Sequence, residues 1–166
     1  FAKYWIHNGL LDFDGEKMSK SLGNILYVHD LVKNHPGEVL RLALISTHYR
    51  QKLNFTLDKL SNSQKSINKI REVLRRVKLI EDNIDSGEEF KDESQEMIES
   101  FSKHLENDLN ISGALGEMFV WINKVFKELD AENISSRGKA NVMSALGLID
   151  KVLGVIEIDN LDVENQ

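Results

Sequence analysis

The sequence predicts a mainly α-helical protein: an antiparallel helical bundle preceded by a short β-hairpin and loop. Three observations predict it. Apolar residues recur at spacings of three and four through most of residues 60–153. The lone proline, Pro36, lies upstream and leaves those stretches uninterrupted. Asp14-Gly15, set between two short extended runs, is a strong hairpin signal. With 166 residues, 41% of them hydrophobic, the chain is long enough for one or two domains with cores of their own.

Taken in order, Tyr4-Trp5-Ile6-His7 is an aromatic and aliphatic run ending at Asn8-Gly9, and Leu11-Asp12-Phe13 alternates before Asp14-Gly15. A lysine-serine loop therefore emerges from the second arm of a hairpin. Beyond it, His29-Asp30-Leu31-Val32-Lys33 reads as a short helical turn, with Asp30 as its cap. Pro36 suits the first position of a helix whose Val39-Leu40-Arg41-Leu42-Ala43-Leu44-Ile45 is apolar nearly all round, so that helix should be buried. Lys52-Leu53-Asn54-Phe55 reads as extended, and Thr56 caps a long helix.

That helix, expected over residues 60–84, carries a seam of Leu60, Ile67, Ile70, Leu74, Val77 and Ile84, widened by Val73 and Ile80. Its other faces hold Lys65, Lys69, Arg71, Arg75, Arg76 and Lys78, which read either as a solvated face or as a polyanion contact. Asp85-Ser86-Gly87-Glu88-Glu89 breaks the pattern. A second bundle helix runs through Met97, Ile98, Phe101 and Leu105. A third spans about 112–129 through Leu115, Met118, Phe119, Ile122, Phe126 and Leu129, and a fourth about 136–153 through Val142, Met143, Leu146, Ile149 and Leu153. Connections of under about ten residues make these helices antiparallel neighbours.

Composition excludes several classes. No run approaches the apolar length of a membrane span. The absence of cysteine removes disulfides and thiolate metal sites, and none of the five histidines has a second ligand at metal spacing, so no metal is expected here. A reducing cytoplasm is the natural compartment. Because the chain opens on Phe1 within what reads as an element, it is expected to be a piece of something longer. The net charge of −6 is lopsided: residues 1–82 hold 14 Lys/Arg against 9 Asp/Glu, and residues 83–166 hold 7 against 18. A polyanion is drawn to the first half and steered from most of the second.

Lys17-Met18-Ser19-Lys20-Ser21, then Leu22-Gly23-Asn24, is the chemically distinctive stretch. Two ammonium groups three positions apart, interleaved with hydroxyls and closed by a glycine, suit the oxygens of a polyphosphate. In a Gly-rich phosphate loop the backbone N–H groups cradle the anion; here cationic arms reach over it and move with it. The pentapeptide arises by chance in roughly one chain in ten thousand of this length, so accident explains it poorly.

Residues 4–24, YWIHNGLLDFDGEKMSKSLGN, resemble the signature loop of class I aminoacyl-tRNA synthetases. Ser46-Thr47-His48-Tyr49-Arg50 running into Leu53-Asn54-Phe55, and Asn107-Asp108-Leu109-Asn110 leading to Ala114-Leu115, are similar to the cysteinyl-tRNA synthetase family. The resemblance extends to about Gly154. It implies that residues 1–55 are the end of an α/β nucleotide-binding catalytic domain, with the lysine loop and connecting helices, and that 56–166 are a helical bundle of the tRNA-binding, anticodon-binding type. It implies ATP, cysteine and tRNA(Cys) as substrates and partners, no membrane, and a monomer in the full-length form. Lys20 is then expected on the triphosphate, assisted by Lys17, with Ser19 and Ser21 shaping the loop. His7 and Asn8 line up with the nucleotide-side strand, although for His7 a hydrogen bond within the fold is an equal alternative. His48, Arg50 and Arg41 are expected to be structural joints.

Two departures matter. Ile111-Ser112 stands where the family has threonine-proline, which leaves a helix start at Asn110 or Ser112. The family's His-Ile-Gly-His element and zinc-binding cysteines are absent, so zinc is expected only in an N-terminal part outside this chain, which alone should not form aminoacyl-adenylate. Competing readings are a cysteine-sugar ligase of the mycothiol type and a non-enzymatic helical RNA-binding or interaction module.

Overall fold

The computed structural model describes residues 1–81 and 89–156. The chain divides into two compact units, Phe1–Lys65 and Ser66–Gln166, the division falling within a long helix.

The first unit is built on a small sheet. β1 (Leu11–Phe13) pairs antiparallel with β2 (Glu16–Lys17), in the register Asp12↔Lys17 and Phe13↔Glu16. Asp14 and Gly15 make the turn with φ of 47° and 84°, the positive values that a two-residue hairpin turn demands and that the Asp-Gly pair tolerates. β3 (Leu53–Phe55) lies parallel to the other side of β1, giving the strand order β2-β1-β3. That non-local pairing fastens the hairpin: Gly15 N–H donates to Asn54 Oδ1 at 2.9 Å. The run Tyr4-Trp5-Ile6-His7 is no strand, contrary to its extended pattern. Strands exist by their ladders; β2 and β3 occupy both sides of β1, and Tyr4, Trp5 and Ile6 are exposed.

α1 (Val28–Leu31) starts from Tyr27 with no side-chain cap. Asp30, expected as the cap, lies inside the helix, where Lys33 Nζ donates to it at 2.6 Å. α2 (Gly37–Ile45) begins one residue after Pro36, whose carbonyl accepts from Val39 and Leu40 N–H. Its Val39, Leu40, Leu42 and Ala43 are buried as predicted, while Arg41 and Leu44 are exposed. Thr56 caps α3 (Leu57–Lys78), its Oγ1 accepting from Lys59 N–H at 3.1 Å.

In the second unit α3 ends at Lys78, short of the expected extension to residue 84. Its last turn tightens through Leu79→Arg76 and Ile80→Val77 hydrogen bonds, and Lys139 Nζ donates to the Ile80 carbonyl. Ile84 and most of the acidic break at 85–89 lie outside the described residues. The remaining helices are α4 (Lys91–Glu106), α5 (Ile111–Asp130) and α6 (Ser136–Leu153). Asn110 and Ser135 cap the last two, their side chains accepting from Gly113 and Gly138 N–H.

Side-chain contacts give the helix directions. Lys69 meets Asn123 and Arg76 meets Asp130, so α3 and α5 run the same way. Phe90, at the start of α4, packs edge-on against Trp121, while His104, near the other end, meets Asn110 at the start of α5, so α4 runs opposite to α5. Glu89 meets Ser135 and Asn141 at the start of α6, which therefore begins where α4 begins. The bundle is up-down-up-down, the antiparallel arrangement that short connections imply. Val73, Leu74, Val77, Met118, Ile122, Val125, Val142, Leu146, Ile149 and Leu153 are fully buried. Trp121 and Val125 join this core unannounced by the predicted seam; Phe119, Phe126 and Met143 are only half-buried.

Candidate functional site

The lysine loop is a built piece of backbone. Lys17 ends β2 opposite Asp12, and Met18 N–H donates to the Leu11 carbonyl at 3.4 Å. After Ser19 a 3-10 turn, Lys20–Leu22, is closed by Gly23 at φ 66°, whose N–H donates to the Lys20 carbonyl at 3.2 Å. Left-handed φ is why a glycine stands there. Asn24 then reaches back. Its Oδ1 accepts from Ser19 N–H at 2.9 Å and its Nδ2 donates to the Lys17 carbonyl at 3.2 Å. Met18 and Leu11 line an apolar pocket with Leu26, Leu31, Leu40 and Phe55, so the loop's apolar side chain faces the unit's interior contacts.

Lys17 and Lys20 are exposed, and among the described residues neither ammonium makes a hydrogen bond or ion pair, even though Asp12 faces Lys17 in register. Ser19 and Ser21 share one hydrogen bond between hydroxyls, 3.2 Å apart. One hydroxyl spends its proton on the other, so the pair keeps one O–H to donate outward. Lys17, Ser19, Lys20 and Ser21 are thus brought together on one short loop. His7 is exposed, and among the described residues it makes no hydrogen bond or ring contact. Nearby, Gly9 N–H donates to the Tyr49 carbonyl at 2.6 Å. His48 stacks on Tyr49, whose ring also lies 4.9 Å from the Arg50 guanidinium, and Lys59 Nζ donates to Thr47 Oγ1 at 2.7 Å. Burial lowers the pKa of Lys59. Asn24 and Asn54 have roles that the sequence pattern does not announce. No sequence signal marks the first, whose half-burial beside the lysine loop arises only in the folded chain.

Residues 1–65 match the family model of the class I (C) tRNA synthetase catalytic domain. Chains named cysteine–tRNA ligase are similar along nearly the whole length. The one from Maricaulis maris is 40% identical over 89% of this chain and 30% of its own length, that from Sulfurimonas denitrificans 37% over 92% and 31%, and that from Fusobacterium nucleatum 33% over 99% and 37%. The chain is thus similar to a part of the class I tRNA synthetases. It spans about a third of the length of the curated relatives it matches. In fold, the chain is similar to the LeuRS of a ternary LeuRS–tRNA–LeuAMS crystal structure from Agrobacterium radiobacter, with a TM-score of 0.70 at 19% identity, over 96% of this chain and 22% of that one.

The basic face of α3 is substantially engaged within its own unit. Arg75 forms a two-pronged bond to Glu72 at 2.9 and 2.8 Å, which lowers the Glu72 pKa and raises that of Arg75. Arg76 pairs with Asp130 at 2.7 Å, and both Arg76 and Lys69 lie 5.9 Å from the Phe126 ring. Lys65 is exposed and, among the described residues, has no partner. Among the described residues no group of three or more His, Asp or Glu is placed to hold a metal ion, and the chain has no cysteine; the described residues do not fit a zinc site. No described helix is long and apolar enough to cross a membrane.

Proposed function

We propose that this chain supplies the triphosphate-handling loop and the helical, tRNA-facing part of a cysteine–tRNA ligase, residues 1–55 belonging to the catalytic end and 56–166 to the bundle. The observation that supports it most is the pair of uncommitted ammonium groups on a hydrogen-bonded loop, in a chain up to 40% identical to proteins of that name.

In the reaction a cysteine carboxylate oxygen attacks the α-phosphorus of ATP. The bond from that phosphorus to the bridging oxygen breaks, and pyrophosphate leaves with the electron pair. Negative charge therefore grows on the leaving diphosphate as the bond breaks. Lys20, assisted by Lys17, meets that charge where it develops, and such contacts stabilise the transition state more than the ground state. The outward O–H of the Ser19–Ser21 pair adds a short neutral hydrogen bond. The cysteinyl-adenylate is then consumed by transfer of cysteine to tRNA(Cys).

Lys20→Ala in the full-length enzyme should lower cysteine-dependent pyrophosphate exchange by about a hundredfold, the usual cost of removing one such donor, about 3 kcal/mol. An unchanged rate would rule out the assignment. His7, two residues before the Gly9–Tyr49 hydrogen bond, is assigned to the nucleotide side by the resemblance. His7→Ala should raise the KM for ATP while leaving the KM for cysteine unchanged; an unaltered ATP KM removes His7 from the site.

A further inference from the structure

We propose that Asn24 is a positioning residue for the lysine loop, fixing the backbone from which both ammonium arms project; this rests on the triphosphate reading of that loop. The geometry is specific. One side chain bridges two backbone groups, the Lys17 carbonyl at 3.2 Å and the Ser19 N–H at 2.9 Å, the second being the amide just before Lys20. The carboxamide donates from its nitrogen while it accepts at its oxygen; aspartate only accepts, and alanine does neither. The left-handed Gly23 turns the chain back so that Asn24 lies half-buried beneath the residues it holds. Lysine arms have many rotamers, and their ordering over an anion costs free energy. A fixed starting point for each arm reduces that cost and keeps the ammonium groups within reach of the oxygens on which charge develops.

The test is a double-mutant comparison in the full-length enzyme, reading cysteine-dependent pyrophosphate exchange, with KM for ATP and for cysteine and the melting temperature measured alongside. Asn24→Ala should lower kcat about ten- to hundredfold, the scale of a small misplacement of catalytic groups, with the cysteine KM and the melting temperature held. In a Lys20→Ala background the same change should lose most of its effect, because Lys20, the arm assigned to the triphosphate with Lys17 only assisting, is gone. Asn24→Asp preserves shape and the bond from Ser19 but cannot donate to Lys17, so it should be impaired too; it supplies the same comparison if alanine lowers the melting temperature. Full activity of both Asn24 variants, with Lys20→Ala impaired, overturns this inference and leaves the loop's role intact. Independent, multiplicative losses in the double variant also overturn it. Full activity of Lys20→Ala instead overturns the underlying reading.

Discussion

At the scale of single residues, Gly9 shows what a side chain would cost. A Cβ there would lie 2.3 Å from the Gln51 carbonyl oxygen, backbone that cannot swing aside. Gly9→Ala should therefore destabilise by about 1–3 kcal/mol, the usual range for overpacking, and an unchanged melting temperature would contradict the close approach. Residues whose role depends on a neighbour in sequence were legible in advance. Asp14-Gly15 announced its turn because positive φ at both positions leaves few other choices, and Thr56 announced its cap because its partner is three residues on. Asp30 misled for the same local reason: it suits a cap, but Lys33 on the same short helical stretch claims its carboxylate. Asn54 and Gly9 were illegible, since their partners Gly15 and Tyr49 lie far along the chain. The lysines of the candidate site could be named from their pattern, whereas Asn24 acquires its role only when Gly23 folds the loop back.

At the scale of elements, α6 and its exit show a helix end made by one carboxylate. Gly154 takes φ 60°, and Asp150 Oδ1 accepts from both Val155 and Ile156 N–H, at 2.8 and 2.9 Å. Both of those residues are buried, so Asp150→Ala leaves two donors without a partner and should cost about 1–3 kcal/mol. Asp150→Asn keeps an acceptor and should recover much of the loss; equal melting temperatures for the two variants would contradict this. On α3 the Arg75–Glu72 pair is exposed, so its contribution is small. Its sign is fixed: Glu72 has a lowered pKa in the folded protein, so the contribution is present above the unfolded carboxylate pKa and fades as pH falls through the folded one. The acid limb of the melting curve of Glu72→Gln should be slightly flatter than that of the unmodified chain. Helical spans were readable because a seam of apolar residues repeats over several turns. The parallel β1–β3 pairing was not, because three-residue strands carry too little pattern to identify a partner forty residues away.

At the scale of the molecule, charge and fold together limit where a nucleic acid can bind. The excess of cations lies before residue 83, yet on α3 Arg75, Arg76 and Lys69 are engaged by Glu72, Asp130 and Asn123. Glu72 and Asp130 neutralise part of the face that composition alone would offer to a polyanion. Binding of tRNA by the full-length protein should still weaken as salt rises, since every phosphate contact releases counterions. Lys65→Ala should flatten that dependence by about one unit of slope if Lys65 meets a phosphate, and affinity independent of salt would favour a protein-interaction module.

The account turns on two ammonium groups carrying the charge that collects on departing diphosphate. The direct measurement is single-turnover formation of cysteinyl-adenylate by the full-length enzyme with Lys17→Gln and Lys20→Gln together, at saturating ATP and cysteine. The account predicts a fall of at least about a hundredfold in that step, from the loss of transition-state contacts. A rate equal to that of the unmodified enzyme would contradict it.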